Sequence, residues 1–249
     1  QGADELLGGY ITLNAFAYSY SALKKAKFGE AFKNLSAVNK HYSLMHTFQS
    51  YIRALDINVA QKYFQSRSGY EKLYTGPIAN LPILKDSPFE CPGFDDDFNR
   101  HLHNQHTGTL VDLLHYGDRI SMANSLESRL PFMDYRLVEF AFRLPARMKV
   151  SNGMGKVIHR QAMQGVLPGF IANNPHKFGF STPLAKILMD DAANSPAKKL
   201  LNGSLVDSGM INVDQLKNVV REHKEGRHNH SRVLYRLLGM DSWLRQFAA

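Results

Sequence analysis

An acidic pair near the start of the chain lies between glycines. Asp4 and Glu5 follow Gly2 and precede the pair Gly8 and Gly9. Magnesium in proteins is typically bound by one or two carboxylates together with phosphate oxygens, and glycine lets a backbone approach a ligand closely. The segment therefore predicts a divalent cation held against phosphates. An ordinary acidic first turn, favoured by the helix dipole, would have the same composition, and the residues alone leave both interpretations open.

A second candidate group lies in the charged segment 118–134. Glu127 precedes Arg129 by two residues, so both side chains project to one side if the backbone is extended. Such a pair could orient a substrate group or hold a cationic catalytic residue. A buried structural ion pair that organises a tight turn before Pro131 would explain the same pattern equally well.

A single lysine, Lys177, stands in a late loop (173–183) among aromatic residues and glycines. An ammonium near apolar groups strongly stabilises a phosphoryl group during its transfer. A lysine whose stem covers an aromatic packing turn would have the same local sequence. Viewed alone, the segment favours that packing interpretation.

Two groups of histidines could suggest a metal site. Within the first, His101 and His103 cannot share one helix face with good geometry, and no cysteine or carboxylate completes a ligand set. We expect solvated surface histidines in both groups. The groups are His101, His103 and His106, and then His223, His228 and His230.

Helical periodicity supplies the elements that must position these side chains. Strand-like alternation is scarce and no convincing βαβ unit occurs, so the pattern predicts a mainly α protein. Four prolines between residues 69 and 93 predict a long, partly extended connection there. Helices are predicted over about 28–38, 44–55, 96–114, 134–144, 155–166, 212–225 and 233–247.

Composition restricts the protein class. The chain has 249 residues, of which 44% are hydrophobic and 21% charged, which is close to the globular average. One cysteine, Cys91, cannot form an internal disulfide, and no apolar run approaches a membrane span. We therefore expect a cytoplasmic protein without a membrane partner. The net charge of +8 suggests an anionic partner, although a soluble domain can carry such a charge without functional meaning.

Three segments, taken in order, are more specific than any one of them. Segments 1–10, 118–134 and 177–183 have the sequences QGADELLGGY, DRISMANSLESRLPFMD and KFGFSTP. Together they resemble the synthetase domain of the glutamine-hydrolysing asparagine synthetase family, which also includes β-lactam synthetases. The resemblance extends from residue 1 to about residue 190 and weakens over the C-terminal helices.

The resemblance implies a fold and a domain organisation. It implies the helical C-terminal half of an ATP pyrophosphatase-type (adenine nucleotide α-hydrolase-like) α/β synthetase domain. Residues 1–190 would belong to that domain, and residues 191–249 would be a helical extension packed on it. The family's SGGxDS pyrophosphate loop and its glutaminase domain are absent from this sequence. We therefore expect the chain to be an inactive part of a longer enzyme whose glutaminase domain is its partner, with a homodimer also open.

The resemblance further implies a reaction. The family adenylates a carboxylate with ATP and Mg²⁺, releases pyrophosphate, and lets an amine displace AMP. With aspartate and ammonia the product is asparagine, formed through β-aspartyl-AMP. Asp4 would help to bind Mg²⁺ and the pyrophosphate portion of ATP. Gln1 and Gly2 would lie at the nucleotide, Gly2 through its backbone.

Catalytic roles are implied for the two later segments. Lys177 would stabilise the charge that develops during adenylation and amine attack. Glu127 would orient a group or remove a proton near that centre, and Arg129 would support it.

Two departures from the family pattern keep other hypotheses open. Gln1 stands where asparagine synthetases often have a glutamate, and His115 stands where some members have an arginine. An amide-forming synthetase for another carboxylate, in a polysaccharide or secondary-metabolite pathway, therefore remains an alternative. A non-enzymatic basic helical module is the other alternative. Its basic residues form no sustained stripe, so we expect no nucleic-acid partner.

Overall fold

A computed structural model describes residues 1–54, 70–75, 93–94, 96–176, 179, 182–189 and 195–248. Within these ranges the protein is mainly helical, as the periodicity predicts, and its regular strands form a single two-stranded ladder. No helix in the described part of the chain combines the length and apolar character needed to cross a membrane.

The chain divides into two compact units, residues 1–56 with 86–178 and residues 57–85 with 179–249. The described part of the first unit contains ten α-helices, a 3-10 turn at Pro131–Met133, and the antiparallel strands β1 (Val150–Ser151) and β2 (Met154–Gly155). The helices are α1 (Ala3–Leu7), α2 (Ile11–Lys24), α3 (Phe28–Asn39), α4 (Leu44–Ala54), α5 (Asp97–Thr107), α6 (Thr109–Met122), α7 (Tyr135–Arg143), α8 (Ala146–Lys149), α9 (Val157–Ala162) and α10 (Gly169–Ala172).

Local side-chain chemistry sets several helix ends in the first unit. The Asp96 carboxylate accepts a hydrogen bond from the Phe98 backbone N–H at 3.1 Å and caps α5. Asp134 caps α7 in the same way, as predicted, by accepting from the Arg136 N–H at 2.9 Å. Gly108 separates α5 from α6, so the single helix predicted over 96–114 is two helices.

Two apolar clusters hold the first unit together. The smaller cluster contains Leu6, Leu7 and Ala141, and it fixes the short α1 against α7. The larger cluster joins α2, α3, α5 and β1. Its buried members are Ile11, Ala15, Ala17, Tyr18, Val38, Phe98, Leu102 and Val150.

The described part of the second unit contains a 3-10 turn at Tyr70–Leu73 and five α-helices around one apolar core. A bridge between Tyr74 and Ile211 ties the 70–75 segment to the start of α14, so this part of the predicted connection is packed. The Asn212 side chain caps α14 by accepting from the Gln215 N–H at 3.1 Å, as the sequence predicts. The helices are α11 (Leu184–Met189), α12 (Pro196–Leu201), α13 (Ser204–Asp207), α14 (Val213–Lys224) and α15 (Ser231–Phe247).

The expectation of solvated histidines is wrong for several residues. His223 is completely buried and His230 is 8% exposed. His223 Nδ1 accepts a hydrogen bond from the His230 backbone N–H at 3.1 Å. His223 follows the buried residues Leu216 and Val219 by seven and four positions, so helical spacing could have identified it as a core residue. Burial likewise lowers the pKa of His101 to about 4.

Candidate active site

The N-terminal acidic segment forms the five-residue helix α1 between two glycines with left-handed backbone. Gly2 has φ +94° and Gly8 has φ +69°, conformations that favour glycine. The carbonyl of Asp4 accepts from the Gly9 N–H at 2.9 Å and closes the helix. Asp4 and Glu5 do lie in the first turn, as the helix-dipole interpretation requires. Their side chains, however, have different surroundings.

Asp4 forms an ion pair with a residue 152 positions away. Its Oδ1 lies 3.0 Å from the Nζ of Lys156, and the two side chains are only 18% and 23% exposed. Lys156 follows β2, has φ +58°, and donates its backbone N–H to the Leu7 carbonyl at 2.9 Å. The analysis of the sequence did not identify Lys156. The cue available was a lysine directly after the Gly153 and Gly155 turn.

Two glycines are required for this approach. A Cβ on Gly9 would overlap Asp4 Oδ1 and crowd the Lys156 stem. A Cβ on Gly155 would overlap the Gly8 carbonyl oxygen, which is backbone and cannot rotate away. The loop after α1 and the turn after β2 therefore meet backbone to backbone, and the ion pair occupies the space that Gly9 leaves.

The C-terminal end of the second predicted segment (118–134) contacts the first segment (1–10) at Gly2. A Cβ on the buried Gly2 would lie 3.1 Å from Met133 Sδ and 3.2 Å from Phe132 Cβ. The Phe132 ring packs at 5.5 Å from the ring of His159, which follows Lys156 by three residues. The 3-10 turn 131–133 therefore lies against the start of α1, the helix that carries Asp4. The predicted nucleotide-binding residue Gln1 is exposed beside it.

Glu127 and Arg129 form the ion pair that their spacing predicts. Arg129 Nη2 donates to Glu127 Oε2, and the two side chains are 68% and 87% exposed, in the order Glu127, Arg129. Because both are exposed, the interpretation as a buried structural pair is wrong. A pair so open to water is positioned mainly by its own short spacing, and its orientation is not fixed by surrounding packing.

Lys177 lies outside the described residues, so its predicted role remains a prediction. The chain immediately before it is placed. Tyr42 donates its hydroxyl to the Pro175 carbonyl at 3.3 Å, and the rings of His176 and His41 pack at 5.4 Å. The loop that carries Lys177 is therefore anchored at residues 175–176 to the segment that follows α3.

Burial and neighbouring charges shift the pKa values of two side chains near α1, Tyr10 and His159. Glu5 is 1% exposed and accepts from the Tyr10 hydroxyl at 2.8 Å. Burial, and then the hydrogen bond and charge of Glu5, raise the pKa of Tyr10. Burial also lowers the pKa of His159, and the positive charges of Lys156 and Arg160 lower it further. Glu5 is thus committed to Tyr10, and Lys156 and Arg160 place positive charge near His159.

The residues around Asp4 fit a magnesium ion whose other ligands come from a bound nucleotide and from water. In the part of the chain that the structure describes, no three His, Cys, Asp or Glu residues cluster well enough to hold a metal alone. Asp4 offers one partly exposed carboxylate. Because Mg²⁺ commonly uses one or two carboxylates plus phosphate oxygens and water, the arrangement fits an ion that arrives with a nucleotide.

A cavity of about 850 Å³ lies elsewhere in the first unit, between α2, α5 and α7. None of the described site residues predicted from the sequence lines it. Its charged groups include paired ones: Lys25 lies 3.6 Å from Asp96, and Arg143 lies 3.6 Å from Glu139. We therefore place the candidate site at Asp4 and not in this cavity.

Comparison with known proteins agrees with the class of enzyme that these segments indicate, the amide-forming synthetases. The family model described as Asparagine synthase matches residues 1–245. The chain belongs to this asparagine synthase family. No solved structure matches it.

Three named relatives show how the similarity is distributed. Asparagine synthetase [glutamine-hydrolyzing] 1 of Bacillus subtilis is 25% identical over 98% of this chain and 39% of its own length. Asparagine synthetase [glutamine-hydrolyzing] 3 of the same organism is 46% identical over 43% of this chain and 17% of its own length. The enzyme of Gallus gallus is 36% identical over 31% of this chain and 14% of its own length. The chain thus spans less than two fifths of the relatives that match it throughout.

Proposed function

We propose that the chain takes part in ATP-dependent amide-bond synthesis through an acyl-adenylate. A substrate carboxylate oxygen attacks the α-phosphorus of ATP, the bond to the bridging oxygen breaks, and pyrophosphate leaves. An amine then attacks the acyl carbon, and AMP leaves. The observation that supports this is the Asp4–Lys156 pair, 3.0 Å apart beside a glycine-bounded loop, in a member of the asparagine synthase family.

Each predicted residue has a role in this scheme. Magnesium bound with the nucleotide supplies positive charge at the leaving pyrophosphate. Asp4 would hold that ion, and Gly2 and Gln1 would lie at the nucleotide. Lys177 stabilises the negative charge that builds up on the phosphoryl and acyl centres.

Glu127 accepts the proton that the attacking amine loses, and Arg129 orients that carboxylate. Both side chains are mostly exposed in this chain, so they are accessible to a substrate.

Aspartate is the proposed carboxylate and ammonia the proposed amine. Several relatives are named as glutamine-hydrolysing, so we propose that a glutaminase domain supplies the ammonia. Gln1 and His115 are both exposed, and they are the positions that would change the choice of carboxylate. A neutral amide at position 1 cannot act as a base, so a different acyl substrate is the second candidate.

The first experiment measures carboxylate-dependent ATP–pyrophosphate exchange by the protein in the form that its gene encodes. We expect exchange with aspartate and Mg²⁺, and a loss of about 100-fold or more in Asp4→Asn, because the carboxylate that binds the ion is removed. Asp214→Asn, which neutralises a 90% exposed carboxylate in the second unit, is the matched control and should stay within about twofold. Exchange that is insensitive to Asp4→Asn would contradict the proposed site.

The second experiment identifies the product. Incubation with ATP, an ammonia source and a panel of carboxylates should give asparagine and AMP from aspartate. Amide formation from another member of the panel, with none from aspartate, would retain the reaction type and replace the substrate. Absence of exchange and of amide with every carboxylate would reject the proposed function.

A further inference from the structure

We propose that the cavity between α2, α5 and α7 binds a small organic anion, a carboxylate attached to an aromatic or branched apolar body. The cavity has a volume of about 850 Å³, which is within the range of small-molecule binding sites. None of the described residues assigned above to the Asp4 site lines it. The inference therefore adds a second ligand site and does not depend on the proposed function.

A cluster of aromatic rings forms one side of the cavity. The Phe142 ring of α7 packs against the Phe94 ring at 5.7 Å. The rings of His103 and His106, both on α5, each lie 5.8 Å from the Phe142 ring. Burial lowers the pKa of both histidines, so they are mostly neutral at neutral pH. A flat or branched apolar group would thus meet an uncharged surface of rings, which is a favourable contact.

Three polar side chains of the cavity already have hydrogen-bond partners. The Tyr18 hydroxyl donates to Glu30 at 3.3 Å, and the Ser21 hydroxyl donates to Asp96 at 2.6 Å. The Asn99 amide donates to two backbone carbonyls, at 3.2 and 3.3 Å. A ligand whose body needs few hydrogen bonds therefore fits this cavity better than a sugar or another polar molecule does.

The lysines and arginines that line the described part of the cavity are not all paired. Lys25 and Arg143 lie near carboxylates, as given above, and Lys27 lies 3.3 Å from Glu30. Arg147 also lines the cavity, and in the described part of the chain its guanidinium forms no ion pair. A guanidinium can bind a carboxylate through two parallel hydrogen bonds, so Arg147 is the group that selects an anion.

A second positive charge lies behind the aromatic cluster. Lys149 is completely buried, and its Nζ donates to Asn99 Oδ1 at 2.7 Å and lies 5.0 Å from the centre of the Phe142 ring. No described carboxylate lies within ion-pair distance, and burial lowers the pKa of Lys149 to about 7, although the charge of Asp96 opposes this shift. Because Asn99 and Phe142 both line the cavity, an anion bound there would stabilise the buried ammonium.

The experiment measures the binding of three probes by calorimetry, with the protein in the form that its gene encodes. The probes are 2-naphthoate, its neutral analogue 2-naphthamide, and acetate, which has the charge without the apolar body. We expect 2-naphthoate to bind at least about tenfold more tightly than either of the others, because each of them lacks one of the two features. Equal binding of 2-naphthoate and 2-naphthamide would overturn the inference.

Two variants separate the charge from the shape of the cavity. Arg147→Met should weaken 2-naphthoate binding about tenfold and leave 2-naphthamide binding within about twofold, because only the charged contact is removed. Val138→Phe places a ring in the cavity and should weaken the binding of both aromatic probes about tenfold. Unchanged 2-naphthoate binding in Arg147→Met, or in Val138→Phe, would show that the probe binds elsewhere and would reject the proposed site.

Controls keep this inference distinct from the proposed function. Arg236→Met removes an exposed arginine of α15 and should leave the binding of all three probes unchanged. Thermal unfolding identifies variants that have lost the fold, and Arg147→Met carries the test if Val138→Phe does not fold, since Arg147 is exposed.

ATP–pyrophosphate exchange by Arg147→Met should stay within about twofold of that of the unmodified protein. A larger loss would assign the cavity to the adenylation reaction and contradict a separate site. Binding of 2-naphthoate without exchange by the unmodified protein rejects the proposed function alone. Exchange without 2-naphthoate binding rejects the cavity site alone.

Discussion

Asp4 and Glu127, two of the carboxylates proposed for the site, each form an ion pair in the first unit, and the surroundings of the two pairs differ. Asp4 and Lys156 come from distant parts of the chain and are about one fifth exposed. Glu127 and Arg129 are two residues apart and mostly in water. The first pair is held by two backbone segments that meet at glycines, whereas the second depends on local spacing. The same pairing of charges is therefore preorganised in one place and adaptable in the other.

This difference suggests that the Asp4–Lys156 pair and the Glu127–Arg129 pair act on different parts of the reaction. A phosphate-binding half of a site gains from fixed groups, because charges that are already oriented need no rearrangement when the ligand arrives. A half that handles an acyl group and an amine can close on its substrate. The following predictions test the contrast, beginning with the largest effect on the free energy of unfolding.

Substitution at the backbone contact between Gly155 and Gly8 should cause the largest loss of unfolding free energy. Gly155→Ala places a Cβ on the Gly8 carbonyl oxygen, so one backbone segment must move, and we expect a loss of about 3 kcal/mol in unfolding free energy. Gly117→Ala is the matched control in α6, where a Cβ meets nothing within 4 Å. That substitution should stabilise the protein by about 0.5–1 kcal/mol. Equal effects of the two variants would show that the loops do not meet as described.

The stability of the first unit should also be sensitive to acid, because of His101 in α5. Burial lowers the pKa of His101 to about 4 in the folded protein, against about 6.5 when unfolded, so the unfolded state binds the proton first. Stability contributed by neutral His101 is present above pH 6.5 and is lost as the pH falls towards 4. The loss should reach about 2 kcal/mol at pH 5 relative to pH 7.

Denaturant unfolding of His101→Gln across this range is the measurement. The variant should show a shallower dependence of unfolding free energy on pH than the unmodified protein. His115→Gln, which replaces an exposed histidine in the same way, is the matched control. Parallel curves for all three proteins would contradict the described burial of His101.

The energy of each ion pair gives a direct comparison of the two regions. A double-mutant cycle with Asp4→Asn and Lys156→Met should yield a coupling of about 1 kcal/mol in unfolding free energy, because the pair is partly shielded from water. The cycle with Glu127→Gln and Arg129→Met should yield less than about 0.5 kcal/mol. A larger coupling energy for the Glu127–Arg129 pair would contradict the view that Asp4–Lys156 is the more firmly held of the two pairs.

The smallest effect on stability is expected for Glu127→Gln alone. Its side chain is mostly exposed, so the unfolding free energy should change by less than about 0.5 kcal/mol. Amide formation should nevertheless fall at least about 100-fold, with ATP–pyrophosphate exchange less affected, because the carboxylate is proposed to act on the amine. Unchanged amide formation would remove Glu127 from the mechanism.

Much of the fold could be predicted from local pattern. The caps at Asp134 and Asn212 follow from side chains that accept backbone N–H groups two or three residues ahead, and the structure confirms both. The histidines show where this method fails. Solvation of His223 was expected from its polarity, yet its helical position places it in the core, and position outweighs residue type there.

The candidate site shows the same contrast between contacts that local sequence predicts and contacts that only the tertiary structure reveals. Spacing alone predicted that Glu127 and Arg129 would meet, since two residues in extended backbone share a side. Spacing could not connect Asp4 with Lys156, because no local rule relates residues 152 positions apart.

By itself, the amino-acid sequence determined the mainly helical character, the helix caps, the family and the short-range ion pair. All of these depend on residue types within one or two turns, or on motifs in a fixed order. Only the tertiary structure decided which cation faces Asp4, why Gly9 and Gly155 must be glycines there, and which histidines are buried. Those features depend on contacts between segments far apart in the chain, and such contacts form only when the apolar clusters pack.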